Sequence, residues 1–74
     1  MLLKNTYLIP HGDHYHVMGE VYGHSQYIDG TNICTSRVVS FNRDESSLKI
    51  KTRNSVYEID LDTCHFDEYE LLEL

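Results

Sequence analysis

The sequence HGDHYH at residues 11–16 constrains this chain most, because it places three imidazoles within six positions around one glycine. His14 and His16 are two positions apart, so on an extended strand both rings project from the same face. Gly12 can adopt the backbone conformation of a tight turn, which would bring His11 back toward the other two rings. We therefore predict a turn at which three ring nitrogens converge.

The HxxHxH spacing is typical of a metal site. Neutral imidazole is the commonest protein ligand for metals, and zinc usually takes about four ligands in a tetrahedral arrangement. The candidates for the remaining position are Glu20, His24, Cys34, Cys64 and His65. We expect a structural zinc ion that ties the first strand to the region around Cys64 and His65, so that folding depends on metal. A solvated histidine-rich surface loop is the alternative.

Residues 7–17, with the sequence YLIPHGDHYHV, resemble the histidine-triad motif of streptococcal surface proteins. The resemblance implies that His11, His14 and His16 bind zinc. Proteins of that family complete the site with an acidic side chain upstream of the triad, whereas residues 1–10 of this chain contain no acid. The fourth ligand is therefore expected from a downstream residue.

The length of 74 residues predicts one domain, 1–74, with a core that gives only marginal stability. A structural zinc ion would add to that stability. The sequence shows neither a signal-peptide pattern nor an apolar run near the ~20 residues of a membrane span, which predicts a cytoplasmic protein. In that reducing compartment, Cys34 and Cys64 are expected to be free thiols or metal ligands.

Runs rich in aromatic and β-branched residues predict an all-β or mainly β fold. We expect a small antiparallel sheet or half-open barrel of about five strands, stapled by zinc. The C-terminal residues 66–74 suit either a last strand or a short helix. The predicted strands are residues 5–9, 14–22, 33–41, 48–53 and 56–61.

The last two predicted strands form the clearest hairpin, with residues 54–55 as its two-residue loop. This pairing places Lys51 opposite Glu58. It also places Lys49 opposite Asp60, so that one face is charged and the other apolar. Because acids oppose two of the five basic residues between positions 37 and 53, we do not expect nucleic-acid binding.

The C-terminal part of the chain is strongly acidic, and the whole chain has a formal net charge of −6. Six carboxylates and no Lys or Arg follow position 59: Asp60, Asp62, Asp67, Glu68, Glu70 and Glu73. Such a charge favours fast association with a basic protein surface. The candidate partner-binding residues are Glu58, Asp60, Asp62, Asp67, Glu68, Tyr69 and Glu70.

Small size, acidity and a streptococcal-type triad on a β scaffold together make this chain resemble the small anti-CRISPR proteins of streptococcal phages and prophages. The resemblance implies a non-enzymatic inhibitor that binds a Cas9-type effector in the bacterial cytoplasm and prevents productive engagement of target DNA. We do not expect an enzyme, because the motifs of common catalytic sites are missing. The competing expectations are a metal-handling protein with zinc as its cargo and a subunit of a larger assembly.

Overall fold

The computed structural model describes residues 1–72. Six strands within this range form one open sheet. The strands are β1 (Leu2–His11), β2 (His14–Tyr22), β3 (Thr31–Cys34), β4 (Val38–Arg43), β5 (Leu48–Thr52) and β6 (Val56–Ile59). Their order in the sheet is β3-β2-β1-β6-β5-β4, and neighbours pair antiparallel except for the parallel pair of β1 and β6. The expected mainly β fold is confirmed, with six strands where we expected about five. The sheet is mixed and not purely antiparallel as expected, because β1 and β6 pair in parallel.

Two short helical segments follow the sheet. A 3-10 turn covers Leu61–Thr63, and helix α1 covers Glu68–Leu71. Helix α1 is the short helix that we gave as one of two alternatives for residues 66–74. Within residues 1–72, no helix has the length and apolar character needed to cross a membrane.

The predicted strand over residues 33–41 is wrong, because the chain leaves the sheet at Thr35 and starts a new strand at Val38. Thr35 is buried, and its backbone N–H donates to the carbonyl of Val17 at 2.8 Å. Its hydroxyl accepts from the Val17 N–H at 3.1 Å and donates to the carbonyl of Ser36 at 2.8 Å. These side-chain contacts end β3 and start the crossing to β4.

The crossing forces the sheet to curl, because β3 and β4 lie at its two opposite edges. A flat six-stranded sheet would hold its edges about 24 Å apart. The chain from Cys34 to Val38 can span at most ~14 Å. The sheet therefore bends until its edges approach each other at residues 35–37, and β4 contacts β2.

The core lies on the inner face of this curled sheet. Alternating residues of β2, β5 and β6 point inward, as the two-residue period of a strand requires. The buried apolar side chains are Leu3, Val17, Val21, Val38, Leu48, Ile50, Tyr57, Ile59 and Leu71, each at most 5% exposed. Helix α1 thus contributes Leu71 to the core, and the outer face carries the charged side chains.

The hairpin of β5 and β6 has a different register from the predicted one. Lys49 lies opposite Glu58, and Lys51 lies opposite Val56, so the expected pairing is wrong by two residues. The loop consists of residues 53–54, because Thr52 and Ser55 hydrogen-bond to each other through the backbone and the Thr52 hydroxyl. A shift of two residues keeps each side chain on its face, so the predicted apolar and charged faces are retained.

We predict that Leu71→Ala lowers the free energy of unfolding by about 2–5 kcal/mol, because it removes a fully buried side chain. The adjacent Leu72 is 65% exposed, so Leu72→Ala is a matched control with an expected effect within about 0.5 kcal/mol. Urea denaturation followed by circular dichroism measures both. Equal losses for the two variants would show that α1 does not dock on the core.

Candidate metal centre

The three histidines lie at the closed end of the hairpin of β1 and β2. His11 and His14 are the last pair in its register, and Gly12 and Asp13 form the two-residue loop between them. Gly12 has a φ of +64°, a conformation that glycine adopts without a steric penalty. His16 follows on the same strand face as His14. The predicted turn and the shared face are both confirmed.

The three rings form a nearly even triangle. Their centroids are separated by 5.0 Å (His11 to His14), 5.7 Å (His11 to His16) and 5.2 Å (His14 to His16). One ring nitrogen from each histidine lies within 4.8 Å of the other two. His11 Nδ1 and His14 Nε2 are 3.2 Å apart, close to the ~3.3 Å edge of a tetrahedron with Zn–N bonds of ~2.0–2.1 Å. The cluster therefore has the size of a metal-binding site.

Hydrogen bonds orient two of the rings. His16 Nδ1–H donates to the carbonyl of Thr35 at 2.8 Å, and His14 Nδ1–H donates to Oδ1 of Asp13 at 3.1 Å. Both histidines thus carry their lone pair on Nε2; that of His14 accepts from His11 Nδ1–H at 3.2 Å, a hydrogen bond that a metal ion would replace. Histidines that bind metals usually donate their second nitrogen to a carbonyl or carboxylate in this way. The sequence alone did not reveal the role of Thr35, which is 19 residues away from His16.

The Asp13 carboxylate is part of this arrangement. The hydrogen bond from His14 lowers the pKa of Asp13 below its usual range, and the positive charge of Arg37 lowers it as well. Asp13 is therefore ionised at neutral pH and remains an acceptor. Since its side chain is 92% exposed, we assign it a modest orienting role rather than a large share of the stability.

Cys64 lies beside the middle of β1. It forms a parallel bridge with Thr6, and its thiol donates to the carbonyl of Phe66 at 3.2 Å. The side chain is partly buried against the core. Its contacts are therefore with the sheet and with the start of the C-terminal segment.

His65 also lies beside the middle of β1. Its ring stacks on that of Tyr7 at a centroid distance of 4.4 Å, and its Nε2 is 2.7 Å from Oδ1 of Asn5. Tyr7 precedes His11 by four residues, which is about 13 Å along a strand.

The three clustered histidines by themselves link only the two strands of one hairpin. The expected staple from this cluster to Cys64 and His65 is not formed among residues 1–72.

The other three candidates for the fourth ligand also lie outside the cluster. Glu20 accepts a hydrogen bond from the Tyr22 hydroxyl at 3.2 Å. His24 Nδ1 accepts from the backbone N–H of Gln26 at 2.9 Å. Cys34 is exposed at the end of the edge strand β3. The metal-binding group that residues 1–72 bring together consists of the three histidines.

Several of the predicted partner-binding acids have structural contacts. The Asp67 side chain accepts from the backbone at the start of α1, and Glu70 completes the capping box. Glu68 lies 3.8 Å from Arg43 as an ion pair. Asp60 accepts a hydrogen bond within the 3-10 turn. These carboxylates therefore stabilise the C-terminal segment, and they also contribute to its acidic surface.

The remaining predicted partner residues are exposed. Glu58 lies on the outer face of β6, and Asp62 lies in the 3-10 turn. Tyr69 on α1 is 69% exposed, a large value for an aromatic side chain. Glu73 of the acidic run lies outside the described residues.

No protein-family model matches this chain, and neither a curated protein nor a solved structure gives a significant match. The resemblance to the histidine-triad motif therefore stays limited to residues 7–17. Support for a metal site comes from the geometry of the three histidines and from the hydrogen bonds that orient them.

We predict that the protein binds one zinc ion per chain and that His16→Ala weakens this binding roughly 100-fold or more. The loss follows because four ligands share an apparent ~10–16 kcal/mol in structural zinc sites, so each contributes about 3 kcal/mol. His24→Ala is the matched control, since His24 lies outside the cluster. Isothermal titration calorimetry with zinc chloride measures both. Equal zinc affinities in the two variants would exclude the cluster as the binding site.

Proposed function

We propose that this protein binds zinc reversibly through His11, His14 and His16 and acts in metal handling. The observation that carries the proposal is the convergence of three ring nitrogens within 4.8 Å on one hairpin. The backbone pairing of β1 and β2 holds these residues on one hairpin through contacts within the protein itself. A site supported by such contacts favours the metal-handling alternative over a metal needed for folding.

The donor set limits which metals suit the site. Three imidazole nitrogens favour zinc, copper, iron or nickel, whereas magnesium and calcium prefer oxygen ligands. Zinc also suits the near-tetrahedral spacing between His11 Nδ1 and His14 Nε2. We therefore take zinc as the metal to test first.

The position of the cluster supports exchange of the metal. His11 is exposed, and the Gly12–Asp13 loop that follows it is exposed too. His14 and His16 are only partly buried, and the buried core lies farther along the strands. Closed structural zinc sites usually have four protein ligands, whereas this cluster has three. Release of the metal would not require the core to open.

We predict that the metal-free protein remains folded. Chelation with EDTA should leave the far-ultraviolet circular dichroism spectrum at 25 °C unchanged and keep a cooperative thermal transition. Zinc at a hundredfold excess over its Kd should raise the stability by about 2.7 kcal/mol, because it binds only the folded chain. Loss of the spectrum on chelation would instead make the zinc structural.

A second candidate function is binding to a basic protein surface, which was expected from the resemblance to anti-CRISPR proteins. The exposed side chains of Glu58, Asp62 and Tyr69 support such an interface, since aromatic anchors and complementary charge favour association. Inhibition of a Cas9-type effector in the bacterial cytoplasm remains a prediction, and substitutions at these residues can test it.

If the chain inhibits such an effector, Asp62→Lys and Tyr69→Ala should each weaken inhibition in a DNA-cleavage assay with purified components. These two positions are preferable to Asp67 or Glu70, whose side chains cap α1. Asp44→Lys is the control, because it changes the net charge equally at an exposed turn outside the predicted surface. Equal effects of Asp62→Lys and Asp44→Lys would indicate a general charge effect without a defined interface.

A further inference from the structure

We infer that the three-histidine site leaves one coordination position of its metal ion to an external ligand, and that a small monodentate anion takes this position. The inference rests on the proposed metal binding. It adds the chemical class of a ligand that the site would take.

The first observation is the number of ligands. The cluster supplies three nitrogens, and zinc usually takes about four ligands. The nearest carboxylate in sequence, Asp13, is engaged by His14 Nδ1 on the far side of that ring from Nε2. The other histidines and both cysteines of the described chain lie outside the cluster. A fourth ligand from residues 1–72 would require a rearrangement of these contacts.

The second observation is access. His11, Gly12 and Asp13 are all exposed at the end of the hairpin. A ligand from solvent can therefore reach the site without displacing core residues. A site with three protein ligands and a position open to an external ligand is the pattern of catalytic zinc sites, in contrast to the closed pattern of structural ones.

The third observation is charge. Asp13, the acid of the loop, accepts from Nδ1 of His14 and so lies on the opposite side of that ring from Nε2. A divalent ion held by three neutral imidazoles keeps its full charge of +2. This charge favours an anion over a neutral ligand.

Cobalt(II) provides the test, because its visible absorption reports the number and type of its ligands. The cobalt-loaded full-length protein is titrated with sodium azide at constant ionic strength, maintained with sodium perchlorate. We expect a saturable change in the visible bands at a cobalt stoichiometry of one. Size-exclusion chromatography with light scattering is run on the same samples to determine the oligomeric state.

The outcomes separate the two proposals. Failure to bind cobalt would overturn the proposed metal binding itself. Bound cobalt with bands that azide does not change would show a closed site and overturn the inference. Dimers that form on loading with cobalt, together with insensitivity to azide, would assign the fourth ligand to a second copy of the chain.

Discussion

The contacts of Thr35 with β2 connect the fold to the metal site. Its backbone and hydroxyl bind Val17, which ends the edge strand β3 and turns the chain toward the opposite edge. Its carbonyl holds the ring of His16. The same buried residue therefore contributes to the curl that encloses the core and to the orientation of a metal ligand.

A second constraint lies in the middle of β1, where the register with β2 shifts between Lys4 and Tyr7. Asn5 has a φ of +54°, and its N–H donates to the hydroxyl of Thr63 at 2.7 Å. Opposite this bulge, Gly19 packs so closely that a Cβ atom would lie 2.9 Å from the carbonyl oxygen of Lys4. Bulges bend a strand and redirect its side chains. Here the bulge docks the C-terminal segment on β1.

This docking explains why Cys64 and His65 do not join the histidine cluster. Residues 63–65 are held along β1 by hydrogen bonds to Asn5 and Thr6, whereas the cluster lies at the far end of the same strand. The metal site and the C-terminal segment are thus separate features of one sheet. Zinc exchange at the hairpin end and protein binding by the acidic segment would be compatible functions, because they use different surfaces.

The local features of this protein follow from the sequence alone. The HxxHxH spacing predicted three converging histidines, and the run of aromatic and β-branched residues predicted β2. The pairing of alternate residues predicted the two faces of the hairpin of β5 and β6. These features depend on the two-residue period of a strand and on the conformations open to glycine, which act over a few residues.

The tertiary structure decided the features that depend on contacts between distant parts of the chain. Thr35 breaks a predicted strand because of contacts with β2, and the two-residue register shift follows from the bonds between Thr52 and Ser55. The location of His65 depends on a bulge some 60 residues earlier. Loop closure brings such residues together at a cost that local patterns do not encode, so only the folded chain reveals which candidate ligands meet.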